Sequence, residues 1–195
     1  MSDGDVTVRV DLDDFEQRYA AAADPWGFES SHYEQRKYDV TVASLPRERY
    51  SRCFEPGCSI GVLTGRLVDV ADEVVAMDAS PSAIDRARQR LAGVAGVELV
   101  VGAIPEDWPG GLFDLVVLSE IGYYWDAPAL ATIVARAKRA TVPHGQIVAV
   151  HWLGSSPDHL LSGEEVHRIL DADLGRSIVH HRDVDFVLDV YEMPA

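Results

Sequence analysis

The chain is poor in cysteine. Cys53 and Cys58 are its only two in 195 residues. They stand too close together for a disulfide framework and have no second pair with which to build a zinc site, so both read as reduced, packed thiols of a cytoplasmic protein. Positive charge is scarce too. Seventeen Lys and Arg against 32 Asp and Glu leave a net charge of −15, which argues against nucleic acid and against an acidic membrane surface as partners. A neutral or cationic small molecule suits that balance. Long apolar runs are missing, and the opening MSDGDVTVRVDLDDFEQ is acidic and polar, so neither a secretory signal nor a spanning helix is expected. There is no G-x-G-x-x-G and no Gly-Lys-Ser/Thr. A dinucleotide turn and a phosphate-cradling loop are thereby disfavoured. His180-His181 have no third ligand at metal spacing, so no metal is expected.

What is present is an ordinary globular composition, 47% apolar and 25% charged, at a length that suits one domain over 1–195. Val6, Val8 and Val10 alternate with polar residues and allow a short strand. Phe15, Tyr19 and Ala22 have helical spacing up to Asp24-Pro25-Trp26-Gly27. Ser30 or Ser31 opens a second helix to about Leu45, with Glu34 completing a capping box with Ser31. Residues 1–48 are thus an N-terminal helical cap on a core spanning 49–195. In the core, apolar strands alternate with helices: strand 50–54, helix 62–70, strand 73–77, a helix capped by Ser80, strand 97–101, strand 113–119, helix 128–140, a turn at Pro143-His144-Gly145, strand 146–151, a Gly-, Ser- and Pro-rich loop, and a helix from Gly163. Two last strands, 178–181 and 186–191, form an antiparallel edge hairpin. The pattern predicts an α/β fold with a doubly wound, mostly parallel seven-stranded sheet.

The most informative stretch is Phe54-Glu55-Pro56-Gly57-Cys58-Ser59-Ile60-Gly61. An acid ends a short strand, two glycines turn the chain, and a helix follows. Glycines let backbone approach a ligand, and a helix start offers unpaired N–H groups. Asp78 closes the next strand, where an acid is placed to bind two ribose hydroxyls.

This E-x-G-x-x-x-G with Asp78 resembles the first two motifs of class I S-adenosylmethionine (SAM) methyltransferases. Together with DPW (24–26), YEQRKY (33–38), FDLVVLSEIGYYW (113–125) and PHGQIVAVHW (143–152), it resembles the nodulation protein S (NodS) family of SAM-dependent N-methyltransferases acting on chitooligosaccharide signals. The resemblance covers roughly residues 24–152. It implies SAM as cofactor, with S-adenosyl-L-homocysteine as its product, and a small-molecule or oligosaccharide acceptor. Glu55 would accept from the cofactor amine, directly or through water, and Gly57, Cys58, Ser59 and Gly61 would bring backbone to its methionine part. Asp78 would take the ribose and Ala79 would pack on adenine. Ala103 stands where relatives often carry an acid for the adenine amine, so backbone at Ala103-Ile104 would serve instead. Arg36 would pair with the SAM carboxylate, and Trp26 would close over the cofactor.

The crevice rule for open sheets puts Ser119 and Glu120 near the sulfonium. Glu120 is the first candidate catalytic group, orienting an amine or taking its proton. Tyr124, with Tyr123 and Trp125, would wall a cationic centre or stack on a sugar. His151, at the end of the fifth strand, is a candidate proton acceptor. Two other readings remain at this stage: a nicotinamide-dependent oxidoreductase and a non-catalytic SAM-binding protein. The sequence carries no signal for a particular oligomeric state.

Overall fold

A computed structural model describes residues 9–195. The expected alternation at Val6 and Val8 lies outside the described residues, while Arg9 bridges Trp125 in antiparallel fashion. Asp11 caps the first helix, α1 (Leu12–Ala21), accepting from the Asp13 N–H at 3.0 Å. Ser31 caps α2 (His32–Ala43) by accepting from the Glu34 N–H. The expected capping box is only half made, because the Glu34 side chain turns inward to Lys37 instead of back to the cap.

The strands are β1 (Tyr50–Pro56), β2 (Ala71–Asp78), β3 (Val97–Val101), β4 (Phe113–Ser119), β5 (Thr141–Trp152), β6 (Val179–Arg182) and β7 (Phe186–Glu192). They form one sheet in the order β3-β2-β1-β4-β5-β7-β6. β1 to β5 run parallel, and β7 pairs antiparallel with both β5 and β6. The remaining helices are α3 (Thr64–Leu67), α4 (Pro81–Arg90), α5 (Ala127–Ala140) and α6 (Gly163–Leu174). The fold is the expected doubly wound, mostly parallel seven-stranded sheet.

Alternation along the central strands builds a core on each face. Phe54, Val116, Leu118, Ile147 and Ala149 point to the side covered by α5 and α6. Cys53, Leu115, Val117, Val148 and Val150 point to the other. Both cysteines are free and buried.

Some elements depart from the sequence reading. The helix expected over 62–70 is a four-residue turn of helix. Gly61, Gly65 and the β-branched valines that flank it are poor helix formers. The Pro143-His144-Gly145 turn is a bulge inside β5: register jumps between Phe113 and Leu115, and His144 takes φ 60°. A short 3-10 turn, Gly122–Tyr124, follows β4.

The sheet is also pinned across its middle by polar groups. The Tyr50 hydroxyl on β1 donates to the Gln146 side-chain carbonyl on β5, passing beneath β4. Both residues are about 1% exposed. Tyr50→Phe strands that buried carbonyl, an unmet acceptor worth about 1–3 kcal/mol. Urea denaturation should show a loss of that size, and a variant as stable as the parent would remove the pair from the account.

Candidate functional site

Sheet order reverses between β1 and β4, and the crevice opens above their carboxyl ends. Gly57, at φ 74°, leaves β1 there. A Cβ on it would sit 2.4 Å from Ile121 Cγ2, so only glycine lets the turn after β1 lie against the turn after β4. The crevice widens into a cavity of about 460 Å3. Its floor is Pro56, Gly57, Ser59, Met77, Asp78, Ala79, Gly102, Ala103 and Ile104, and its roof is Leu12, Phe15, Tyr19, Trp26 and Phe28. Ser119, Glu120, Tyr123, Tyr124, Trp152 and His159 line the end above β4 and β5, with Tyr33 and Glu34 of α2.

Asp78 organises the floor. One oxygen accepts from the Ser59 N–H at 2.8 Å and the other from the Ser80 N–H at 2.9 Å. It thereby ties the turn after β1 to the start of α4, and each oxygen keeps a lone pair for a hydroxyl in the cavity. Burial raises its pKa, with the two backbone donors pulling the other way. Ser59 holds a left-handed φ of 53°. That strain is offset by its bond to Asp78 and by its hydroxyl, which accepts from Tyr19 of α1. The roof is fastened by Glu16, whose carboxylate accepts from both Ser82 groups, N–H and hydroxyl, and from the Ser80 hydroxyl.

Not every expected residue reaches the cavity. Glu55 is 2% exposed and accepts from the Thr64 hydroxyl at 2.6 Å, behind the turn. Burial lifts its pKa to about 8. Cys58 and Gly61 are also behind it: Cys58 donates its N–H to Met77, and Gly61 packs on Ala87 and Leu91 of α4. Arg36 lies outside the lining, paired with Asp183 and resting over Phe186. Ala103 and Ile104 do line the floor, with the Ala103 N–H taken up by Asp107 at 2.9 Å. Trp26 does line the cavity, stacked on Phe28 and close to Tyr19.

His151 is turned away as well. It is fully buried on the α6 side of β5, where its Nε2 accepts from the Gly122 N–H at 3.0 Å. The proton of the neutral ring is therefore on Nδ1, which donates to His167 Nε2 at 3.1 Å. His167 passes its Nδ1–H to Asp189 at 2.6 Å, and His180 reaches the other Asp189 oxygen at 2.9 Å. Burial works against the Asp189 charge, but these bonds and one from Ser177 outweigh it and bring its pKa to about 2. His151 is thus a support for the 3-10 turn. The crevice rule found the right strand end but not the face on which this side chain emerges. Among the described residues no cluster suits a metal ion.

The end of the cavity above β4 holds a charge cluster that local sequence patterns hide. Lys37, 1% exposed, lies 3.0 Å from Glu34 and 3.2 Å from Glu120, and 4.8 Å above the Tyr33 ring. Tyr123 donates its hydroxyl to the second Glu120 oxygen. Glu120 itself has φ 58°, a conformation that costs a non-glycine residue of order 1–3 kcal/mol. Two carboxylates and one ammonium leave this end one charge negative, beside the aromatic faces of Tyr33, Tyr123, Tyr124 and Trp152.

A glycine turn under an open floor and an acid closing β2, at the switch point of a seven-stranded sheet, are the parts of a class I SAM-dependent methyltransferase. The cavity fits that cofactor on its own terms: Asp78 has lone pairs to spare, Gly57 clears the crevice, and aromatic rings cover it. The model of the family "Nodulation protein S (NodS)" matches residues 9–147, and the chain belongs to that family. It is 30% identical over 162 residues to nodulation protein S of Rhizobium tropici, covering 78% of this chain and 66% of that protein, so the chain spans about two thirds of this relative. A protein from Pseudomonas syringae, solved as a candidate methyltransferase, is 41% identical, covers 83% of this chain and 99% of its own, and superposes with a TM-score of 0.74. N-methyltransferase NodS from Bradyrhizobium japonicum, solved with S-adenosyl-L-homocysteine, shares 23% identity over 94% of this chain and 98% of its own, with a TM-score of 0.81. Among the described residues no helix is long and apolar enough to cross a membrane.

The buried histidine carries a pH signature. Burial, with His167 next, holds the His151 pKa well below its ordinary 6.5. Below pH 6.5 the unfolded chain binds a proton there and the native chain does not, so stability falls as pH drops. Glu55 acts oppositely: its raised pKa adds stability as pH falls from about 8 toward 4.5. The two are separated by comparing the parent with His151→Gln, which keeps an acceptor for Gly122. Between pH 7 and 5 the parent should lose up to ~1.4 kcal/mol per pH unit relative to the variant. Denaturation curves that shift in parallel would contradict a neutral His151.

Proposed function

We propose that the whole chain acts as one SAM-dependent N-methyltransferase domain, residues 1–48 capping the 49–195 core, and that its acceptor is the amine of a small molecule or amino sugar. The observation that carries this is the Glu120–Lys37–Glu34 cluster at the end of the cavity above β4. A neutral hydroxyl acceptor gains no charge attraction from a net negative pocket. An ammonium does, through charge-assisted bonds to carboxylate and attraction to ring faces. The name of the Bradyrhizobium japonicum neighbour points the same way. Two buried, free thiols and the strongly acidic surface support a cytoplasmic setting.

SAM supplies an already activated methyl group, so the chain's task is to orient, to desolvate and to move a proton. Gly57 and Ser59 would bring backbone beneath the cofactor, Asp78 would bind its ribose, and Ala79 would pack on its base. Trp26, Phe15 and Tyr19 would keep water out from above. Ser119 and Glu120 would line the methyl end, with Glu120 orienting the acceptor nitrogen and Tyr124 forming its wall. Lys37 keeps Glu120 facing the cavity and divides the charge of the two carboxylates.

Methyl transfer from labelled SAM to a panel of amines, amino sugars and matched alcohols tests the reading. Amines should be methylated and their hydroxyl analogues not; transfer confined to hydroxyls would overturn it. Asp78→Ala should weaken S-adenosylhomocysteine about tenfold or more by calorimetry, the loss of charged hydrogen bonds worth about 1.5–3 kcal/mol. Glu120→Gln should leave that affinity within about twofold but slow turnover on the best amine by about tenfold or more. An unchanged affinity in the first variant, or a parental rate in the second, would strike that residue from its role.

A further inference from the structure

We propose that His159 is the proton acceptor for the methyl-accepting nitrogen, at the same end of the cavity as Glu120. The proposal rests on the amine reading above. His159 comes from the loop between β5 and α6, in a stretch whose Gly, Ser and Pro content reads only as a connection. The fold places it on the cavity wall. Its ring stacks on Tyr123 with centroids 3.8 Å apart and planes 17° from parallel. Tyr124 meets its edge at 5.5 Å and Trp152 at 6.2 Å. Tyr123 is the residue that donates to Glu120. The stack therefore puts imidazole and carboxylate on one rigid support.

The nitrogen atoms distinguish His159 from its competitors. Both ring nitrogens of His151 are engaged, one by the Gly122 N–H and one by His167. One Glu120 oxygen accepts from Tyr123, and the other lies 3.2 Å from the Lys37 ammonium, closed off and without a hydrogen bond of its own. Among the described residues neither ring nitrogen of His159 has a hydrogen-bond partner; Nδ1 is closed off within the protein and Nε2 is not, so Nε2 is the nitrogen that a ligand in the cavity can meet.

The loop is also held in place. The His159 N–H donates to the Ser156 carbonyl at 3.0 Å. Ser156 donates its hydroxyl to Asp158, whose other oxygen lies 3.2 Å from Arg18 of α1. The roof helix thus carries the tie that seats the imidazole.

The charged and titratable groups around the ring are Asp158 on its own loop, Arg18 behind Asp158, Glu120, Tyr123 and Tyr124 after β4, and His151 beneath Tyr123. Burial lowers the His159 pKa, and the Asp158 and Glu120 carboxylates pull it back up. A neutral imidazole at neutral pH is the form that can accept a proton.

The step balances. An acceptor ammonium gives one proton to the imidazole. The lone pair so freed forms the N–C bond to the methyl as the S–C bond breaks. S-adenosylhomocysteine leaves as a neutral thioether, the product is a methylated ammonium, and the imidazolium returns its proton to water.

The test compares the parent with His159→Phe, which keeps a ring on Tyr123 but takes no proton. His159→Gln replaces it should the first variant not fold. On an amine substrate the variant should be slower by about 100-fold at pH 7. Its rate should climb tenfold per pH unit toward the amine's own pKa, where the parent is flat, and affinity for S-adenosylhomocysteine should stay within twofold. A parental rate and pH profile would overturn the proposal, as would a collapse of cofactor affinity, which would make His159 a wall of the cavity only. A second readout needs no turnover. In the S-adenosylhomocysteine complex, methylamine or glucosamine should move the imidazole 15N resonances of His159 and not those of His151. A His159 ring that ignores added amine overturns the assignment even where the parent methylates it. A parent that binds cofactor and methylates no amine overturns the function proposed above instead.

Discussion

The buried ammonium of Lys37 is the interaction on which the candidate site depends. At 1% exposure it has no water to turn to, and an isolated charge in such a place is held only by partners. Its partners come from two separate parts of the chain, Glu34 one helical turn away and Glu120 beyond the end of β4. Remove the ammonium and two carboxylates face one another beneath aromatic rings. With it in place, Glu120 keeps its left-handed backbone, accepts from Tyr123 and presents the cavity with a modest negative charge. The helical cap thereby becomes part of the site: α2 brings the charge, and α1 brings the roof.

The sheet supplies the frame for this. Parallel strands bury both faces, so their polar ends gather at the carboxyl edge, and the reversal between β1 and β4 leaves a gap there. Asp78 fixes one rim by holding two backbone N–H groups from different turns. The His151–His167–Asp189 chain fixes the other by holding the turn after β4 from below. Each rim is thus set by polar groups whose hydrogen bonds are met within the protein, so little reorganisation attends ligand entry.

What the sequence disclosed and what it hid divide along one line. Strand order, the glycine turn and Asp78 are legible because each is local: alternation, spacing and a terminal acid lie within one strand–turn unit. The Lys37 cluster is not, since it joins a helix of the cap to the far end of β4. Glu34 even carried a misleading local signal, for Ser31-x-x-Glu34 spells a capping box that tertiary charge pairing overrides. Glu55 and Arg36 were placed by motif, which names a position but not whether a side chain is shielded by Thr64 or captured by Asp183. His159 had no pattern at all; only the folding of its loop onto Tyr123 gives it a role. The shortened α3 shows the reverse, local propensity prevailing where the class pattern suggests a longer helix.

The most direct measurement is a crystal structure of the chain with S-adenosylhomocysteine and an amine acceptor. The ribose should lie on Asp78, the sulfur between Gly57 and Ser119, and the amine nitrogen against Glu120 within the ring of Tyr33, Tyr123 and Tyr124. Cofactor bound elsewhere, or an amine seated away from Glu120 with Lys37 turned out to solvent, would contradict this placement.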